Sequence, residues 1–141
     1  INMHLYIVGN NPSEEVKKLS GQYNEKVTVT GYVESVDEYY DMCDMMVVPL
    51  FIGSGQRVKL IEAFSKGMPA VSTSIGAEGL EYNGESIIIA DKKEEFVDAI
   101  ELMQDKNVRK KYRINARRIY EKYYSPDTVS KLIQCAIDGG D

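Results

Sequence analysis

The sequence predicts an α/β fold with a doubly wound parallel sheet and a helical C-terminal tail. Short apolar runs alternate with helical patterns up to Ala90, and only helical patterns follow it. The run at 45–48 is apolar at every position, as in a strand that a parallel sheet buries on both faces. With 141 residues, of which 43% are hydrophobic and 28% charged, the chain is expected to form one globular domain over 1–141.

The first strand and helix are predicted from their boundaries. The apolar run 5–8 ends at Gly9 and predicts a strand. Ser13 precedes a helical pattern over 14–20 and is placed to cap it, and Gly21 is expected to close this helix. These residues therefore form one βα unit.

A second unit follows in the same order. Residues 27–30 alternate as a strand, and Ser35 or Asp37 can cap a short helix over 36–43. The residues at helical spacing on this helix are Val36, Tyr39, Tyr40 and Cys43. The two tyrosines could form a stacking platform, but aromatic residues at this spacing more often pack in a core.

A glycine-rich turn after the third strand carries most of the predicted chemistry. The strand 45–48 stops at Pro49, and a turn with Gly53 and Gly55 leads into a helical pattern. The predicted inner positions of that helix are Val58, Ile61, Ala63 and Phe64. Glycine allows positive φ and close approach of a ligand, and the free N–H groups of a first helical turn attract anions such as phosphate.

Charged side chains beside this helix start favour a doubly negative ligand. Arg57 and Lys59 add positive charge where the helix dipole alone favours acids, so a bound diphosphate would explain them. Glu62, one turn deeper, can accept paired hydrogen bonds from the two hydroxyls of a ribose. The alternative is a solvated helix face, in which Glu62 pairs with Lys59 and Lys66 at roughly 0.2–0.5 kcal/mol per pair.

The remaining elements complete the sheet and the tail. Residues 67–69 end the helix and start a strand over 70–73, which a second glycine loop at 75–79 follows. Ile87–Ile89 is the last predicted strand. The predicted helices of the tail cover 93–104, 106–123 and 125–138, with Pro126 in the first turn of the last one.

These motifs, taken in order, resemble the donor-binding half of a retaining GT-B glycosyltransferase of family 4, the glycosyl transferases group 1. The resemblance runs from about Leu5 to Tyr124, and its motifs are Val47-Val48-Pro49-Leu50, the stretch 53–73 and Gly76-Ala77-Glu78-Gly79-Leu80. It implies a Rossmann-like domain that binds a nucleoside-diphosphate sugar at the carboxyl ends of the strands.

The resemblance also implies a role for each candidate residue. The donor diphosphate would be bound by Gly53, Ser54, Gly55, Arg57 and Lys59. Glu62 would hold the ribose, and Glu78 is a candidate for contact with the sugar, with a structural turn as its alternative. The loop of Gly31, Tyr32 and Val33 would approach the base; the alternative for Tyr32 is a half-buried ring in a tight turn.

Two departures from the family pattern affect these expectations. Many relatives carry a second glutamate eight positions before the ribose glutamate, and Ser54 stands there, which leaves the donor sugar open. The first strand that full-length relatives carry has no match before Leu5, so the sheet would lack a central strand. We expect the strands at Leu5 and Met45 to pair directly, or another chain to fill the position by self-association.

Two classes of function follow from these patterns. The first is a fragment of an enzyme, with the N-terminal acceptor domain of the parent protein as its partner. This fragment is expected to be inactive alone, and its catalytic residues are unassigned. The second is a non-catalytic nucleotide- or phosphate-binding module, which the absence of an upstream α/β domain in the parent gene would favour. A flavodoxin-like regulatory domain would need acids after the first strand, where the sequence has Gly9-Asn10-Asn11.

Charge and segment patterns restrict the partners. A net charge of −5 and a pI near 5.0 argue against non-specific binding of nucleic acid. The cations cluster within 106–122, which is usually a solvated helix face; the alternative is peripheral contact with an anionic membrane. The sequence has neither a signal-peptide pattern nor an apolar run near ~20 residues, so we expect a cytoplasmic protein. If the cationic cluster binds lipid, the protein would be peripheral at the inner membrane face.

The few metal-ligating side chains predict no metal site. Cys43 and Cys135 lie far apart in apolar helical patterns and are expected to be reduced packing residues. His4 lies at the entry of the first strand with no acid or nucleophile nearby in sequence, so we expect a surface or edge histidine. Neither a metal nor a cofactor is therefore expected.

Overall fold

The computed structural model describes residues 2–53 and 57–139, in two compact units. The first unit spans Ile1–Cys43 and the second Asp44–Asp141. In both units parallel strands alternate with helices, so the predicted α/β, Rossmann-like fold class is confirmed, together with its helical tail. The assignment of one domain to the whole chain stays a prediction.

The first unit consists of two βα units. Its elements are β1 (Leu5–Val8), α1 (Glu14–Gln22), β2 (Val27–Gly31) and α2 (Asp37–Met42). β1 and β2 pair in parallel. Ser13 caps α1 as predicted, because its hydroxyl accepts the N–H of Val16 at 3.3 Å. The prediction for Gly21 was wrong: its backbone has no positive φ, and the helix continues through it to Gln22.

The side chains around α2 pack within the first unit. The Ser35 hydroxyl accepts the N–H of Asp37 at 3.1 Å, although Val36 occupies the N-cap position. The half-buried ring of Tyr39 lies 5.8 Å from the ring of Tyr6 on β1, measured between centroids. This aromatic residue of α2 therefore packs against the sheet, as its helical spacing predicted.

The second unit holds the glycine turn, three strands and the tail. Its elements are β3 (Met46–Val48), α3 (Val58–Ser65), β4 (Ala70–Ser72), α4 (Ser74–Ala77), β5 (Ile87–Ile89), α5 (Lys93–Leu102), α6 (Lys106–Ile119), a π-helical turn (Tyr120–Tyr124) and α7 (Pro126–Ile137). The strands are parallel in the order β3-β4-β5. α4 replaces the first part of the predicted glycine loop, because the Thr73 side chain caps it.

The core of the second unit lies between its sheet and the helices α3 and α6. The buried residues of this core are Leu60, Phe64, Ala70, Ala77, Leu80, Ile87, Ala116 and Ile119. Burying a side chain such as Leu60 or Phe64 stabilises the fold by about 1.5–3 kcal/mol relative to exposure. These contacts fix the position of α3, whose N-terminal end carries two of the predicted phosphate ligands, Arg57 and Lys59.

Two expectations about burial were wrong. β3 is half-buried along its length, whereas β4 is fully buried, because β4 pairs with strands on both sides and β3 with one among the described strands. On α3, Leu60 is buried and Val58 is 45% exposed. The buried face of α3 consists of Leu60, Ala63 and Phe64, which share one side at a spacing of three and four residues.

The strands form two sheets rather than one. β1 pairs with β2, and β3 pairs with β4, so the expected pairing of the Leu5 and Met45 strands is not among the described pairs. β1 and β3 each keep one edge without a described strand partner. The predicted association with another chain at such an edge stays a prediction.

The tail departs from a simple series of α-helices. α6 ends in a π-helical turn, where the N–H of Ser125 donates to the carbonyl of Tyr120 at 2.9 Å. α7 has no buried residue, and Cys135 on it is exposed, so this cysteine is not the packing residue that was expected; Cys43 is half-buried. Within 2–53 and 57–139, no helix is both long and apolar enough to cross a membrane.

Candidate functional site

Thr73 joins the carboxyl ends of β3 and β4. Its N–H donates to the carbonyl of Val48 at 3.2 Å, and its hydroxyl donates to the carbonyl of Leu50 at 2.5 Å. The same hydroxyl oxygen accepts the N–H of Gly76 at 3.0 Å, which caps α4. One buried side chain thus fixes both the segment that leads to the glycine turn and the helix that precedes Glu78.

Asp91 fixes the same edge of the sheet from β5. One of its carboxylate oxygens accepts the N–H and the hydroxyl of Ser74, at 2.8 and 2.9 Å. Asp91 was not among the residues predicted for the site. Its signal was an acid directly after an apolar strand, since the carboxyl ends of parallel strands meet at one edge.

Arg57 and Glu78 form the first of two pairs of predicted site residues that lie in contact among the described residues. Arg57 occupies the N-cap position of α3, and Nε of its side chain donates to the Glu78 carbonyl at 2.5 Å. Nη2 of Arg57 donates to the Glu78 carboxylate at 2.8 Å. The Arg57 side chain is 15% exposed and that of Glu78 is 75% exposed, so the arginine is largely buried while its acid faces solvent.

Lys59 and Glu62 form the second pair of predicted site residues. The Lys59 ammonium lies 3.5 Å from a Glu62 carboxylate oxygen, one turn apart on α3. Both side chains are well exposed, so the pair contributes at most a few tenths of a kcal/mol. The pair of Glu62 with Lys59 that was predicted for a solvated helix face is therefore present. It leaves both groups accessible to a ligand.

Glu62 also borders a depression between α3 and the π-helical turn. The other lining residues are Val58, Ile61, Ser65, Tyr120 and Tyr124. The phenol oxygen of Tyr124 accepts the N–H of Glu81 at 2.5 Å, and burial raises the pKa of this phenol. Tyrosines beside Glu62 were not predicted, although the closely spaced Tyr120, Tyr123 and Tyr124 were a signal for an aromatic wall.

The other predicted site residues are divided between the units. Gly53 has the positive φ that the turn predicted, +125°, while Ser54 and Gly55 lie outside the described residues. The base loop lies in the first unit, where Gly31 has a φ of +70° and Val33 is half-buried. The Tyr32 side chain is 72% exposed, so the half-buried ring of its alternative was wrong.

The charges at the start of α3 are arranged as two cation–acid pairs. Arg57 and Lys59 both contact an acid, but these acids are Glu78 and Glu62, the residues predicted for the sugar and the ribose. A diphosphate bound here must therefore compete with two carboxylates for its cations.

Elsewhere in the described chain, exposed His4 shares a hydrogen bond of 2.8 Å with Thr28. Among the described residues, no three His, Cys, Asp or Glu side chains are grouped to hold a metal ion.

Comparisons with known proteins give the chain a family and one relative. The family model described as "Glycosyl transferases group 1" matches residues 2–105, which is most of the chain. An "uncharacterized 44.6 kDa protein in cps region" of Klebsiella pneumoniae is 30% identical over 130 residues, covering 88% of this chain and 33% of the relative. The chain thus spans about a third of the length of this curated relative.

Proposed function

We propose that this chain, which belongs to the glycosyl transferases group 1, is the donor-binding domain of a retaining glycosyltransferase of GT-B architecture, family 4. It would take part in sugar transfer from a nucleoside-diphosphate sugar to an acceptor held by an N-terminal domain. The observation that carries the proposal is the contact of Arg57 with Glu78. It joins the two glycine-containing motifs beside the carboxyl edge of β4.

The donor diphosphate lies, in this proposal, at the start of α3. Its ligands are Gly53, Ser54, Gly55, Arg57 and Lys59. Glu62 accepts hydrogen bonds from the ribose, and the loop of Gly31, Tyr32 and Val33 approaches the base. Because the two cations already supply positive charge, we propose no metal ion in this site.

Glu78 keeps its proposed place beside the donor sugar. Its carboxylate is mostly exposed, while its carbonyl holds the guanidinium of Arg57. Movement of the carboxylate alone would remove its bond to Nη2 of Arg57, where a phosphate oxygen would take its place, and would leave the bond from Nε intact. The acid would then be available to a sugar hydroxyl.

Binding by this chain alone is expected to be weak. The cations are partly satisfied by acids, and the second wall of the cleft belongs to another domain in a two-domain transferase. We expect a dissociation constant on the order of a millimolar, which corresponds to a binding free energy of about −4 kcal/mol. We also expect no turnover of a donor by this chain alone.

The proposal includes three contacts beyond the donor. The first is the N-terminal acceptor domain of the parent protein. The second is peripheral contact with the inner membrane face of the cytoplasm, supported by the positive charge of α6. The third is self-association through the free edge of β1 or β3, supported by their single described strand partners.

Calorimetric titration with UDP, GDP and ADP tests the donor site. We expect weak binding to the unmodified chain and at least a tenfold loss in Arg57→Ala/Lys59→Ala, since each charge-assisted hydrogen bond contributes about 1.5–3 kcal/mol. Lys106→Ala/Lys110→Ala is the matched control, because it removes the same charge from exposed positions on α6. Equal binding by both double variants would place the diphosphate elsewhere.

Turnover separates the enzyme from the binding module. The full-length parent protein with a labelled sugar nucleotide should release the nucleoside diphosphate and transfer the label. Nucleotide binding without transfer or hydrolysis by the full-length protein would favour the non-catalytic module.

A further inference from the structure

We propose that a second anion site lies in the second unit, in a groove between the C-terminal end of α3 and the middle of α6. The groove has a volume of about 380 Å³ and is lined by Lys66, Gly67, Arg113, Ile114, Arg117 and Arg118. We call it the basic groove. Its ligands are phosphate groups, and it shares no residue with the proposed donor site.

The charge of α6 is of one sign, although the whole chain is acidic. This helix carries seven cations and no acid, and the cations are Lys106, Arg109, Lys110, Lys111, Arg113, Arg117 and Arg118. Like charges three and four residues apart destabilise a helix. A helix with this sequence is therefore more stable when acids or bound anions lie against it.

Acids elsewhere in the fold neutralise only some of the cations on α6. Arg109 pairs with Asp44 at 3.3 Å, and Lys111 pairs with Glu85 at 2.6 Å. Arg113 and Arg118, which line the groove, form no ion pair with a carboxylate of residues 2–53 or 57–139; Arg118 reaches only the Asn115 amide oxygen, at 3.5 Å. The two arginines of α6 that lack an ion pair among the described residues thus both line the basic groove.

Arg117 holds the groove in shape. Its Nε donates to Glu121 at 2.8 Å, its Nη1 donates to the carbonyl of Ser65, and its guanidinium lies 5.4 Å from the ring centre of Tyr120. The end of α3 is thereby fastened to α6. Arg117 thus has a structural function, and Arg113 and Arg118 are the lining arginines that can turn to a ligand.

Gly67 forms the floor of the groove. A Cβ at this position would lie 3.5 Å from the carbonyl oxygen of Arg113 and 3.9 Å from Cβ of Arg117. The φ of Gly67 is +62°, in the left-handed region that favours glycine. The chain therefore turns closely over α6 without a side chain that would fill the groove.

Phosphate fits this arrangement better than a single carboxylate. Each guanidinium presents parallel N–H donors to two oxygens, and a phosphate carries enough oxygens and charge for two arginines. α3 has eight residues and is therefore about 12 Å long, so the groove and the N-terminal phosphate ligands lie at opposite ends of it. The two sites can be tested separately.

The test uses the Arg57→Ala/Lys59→Ala chain, so that the proposed donor site cannot contribute. Inorganic phosphate and diphosphate are titrated at low salt and followed by amide chemical shifts. We expect saturable shifts around Gly67 and Arg113, with a dissociation constant on the order of a millimolar for phosphate and tighter binding of diphosphate. Arg113→Gln/Arg118→Gln should lose at least about tenfold in affinity.

The matched control is Lys106→Gln/Lys110→Gln, which removes the same charge from the same helix outside the groove. We expect it to change the affinity by less than about twofold, and neither double variant should be less stable than its parent, because each removes like charges from the same helix. Equal losses in the two variants would overturn the proposal. So would the absence of a chemical-shift change near Gly67 at a phosphate concentration of about 10 mM, ten times the expected dissociation constant.

Vesicles distinguish the source of the phosphate. Cosedimentation with phosphatidylglycerol vesicles that Arg113→Gln/Arg118→Gln abolishes, and its control preserves, would assign the groove to lipid headgroups. Saturable binding of free phosphate with no dependence of vesicle binding on Arg113 and Arg118 would assign it to a soluble phosphorylated ligand. Vesicle binding that both double variants weaken equally, without binding of free phosphate, would overturn the groove as a site.

Discussion

The guanidinium of Arg57 is bound by both the carbonyl and the carboxylate of Glu78, which lies 21 positions later in the chain. The carbonyl bond fixes the direction of the side chain, whereas the carboxylate occupies a donor that a phosphate oxygen would use. Removing the carboxylate alone therefore separates these two contributions.

Glu78→Gln is expected to strengthen the binding of nucleoside diphosphates. The change removes a negative charge that competes for Arg57 but keeps the backbone carbonyl. Because the carboxylate is exposed, its interactions contribute less than about 1 kcal/mol, and the gain in affinity should be about two- to fivefold. Titration calorimetry with UDP and GDP measures it.

Glu85→Gln is the control for this change, since Glu85 pairs with Lys111 and the variant alters the net charge equally. Weaker binding in Glu78→Gln than in this control would show that the carboxylate positions the arginine or touches the donor.

Gly67→Ala is expected to destabilise the second unit. An alanine with a φ of +62° costs about 1–2 kcal/mol, and its Cβ would contact α6. Urea unfolding measures the loss. Gly84→Ala should stay near the unmodified chain, because Gly84 has no positive φ and a Cβ there meets nothing within 4 Å.

Asp105→Ala is expected to lower the free energy of unfolding by about 1 kcal/mol. The Asp105 carboxylate accepts the N–H of Asn107 at 2.7 Å and that of Val108 at 3.3 Å, which caps α6. Loss of the cap exposes two unpaired donors at the start of this cationic helix. The comparison is Asp98→Ala on exposed helix surface; equal losses would contradict a role of the cap.

Stability is expected to fall as the pH rises above about 10. Burial raises the pKa of Tyr112 and of Tyr124, so both phenols hold their protons more tightly in the folded than in the unfolded chain. Their contribution is complete below the unfolded pKa and is lost as the pH passes through the folded pKa.

The double variant Tyr112→Phe/Tyr124→Phe should lose stability less steeply over this range. Urea unfolding from about pH 8 to about pH 11 gives the two slopes. Tyr32→Phe, which alters an exposed ring, should keep the slope of the unmodified chain. A double variant with that same slope would contradict the prediction.

Local signals predicted most elements of the fold. Leu5–Val8 and Ile87–Ile89 were predicted with their observed bounds, and the cap at Ser13 was predicted from a serine before a helical pattern. Gly21 was misread because a glycine ends a helix only if its backbone turns left-handed, which composition does not reveal. The burial of β3 was overestimated because an apolar run does not show how many strands pair with it.

The candidate site was predicted as residues, and of its contacts only the pair of Lys59 with Glu62 was predicted. Arg57 and Glu62 were selected from spacing along one helix, which fixes their distance from each other. The bond from Arg57 to Glu78 depends on Thr73 and Asp91, which hold α4 at the sheet edge through long-range hydrogen bonds. The position of Asp91 directly after an apolar run was a signal for the sheet edge, but neither a period nor a motif identifies the partners of such bonds, and Ser54 and Gly55 remain predictions.

β4 gives the second unit an internal reporter of its own unfolding. Its three residues are fully buried and paired with strands on both sides, so their amide hydrogens are remote from any fraying end. In deuterated water these amides should be among the last of the unit to exchange, and only by its cooperative opening. Their exchange rates would therefore give the free energy of that opening without denaturant, separately from the amides of the half-buried β1 and β2.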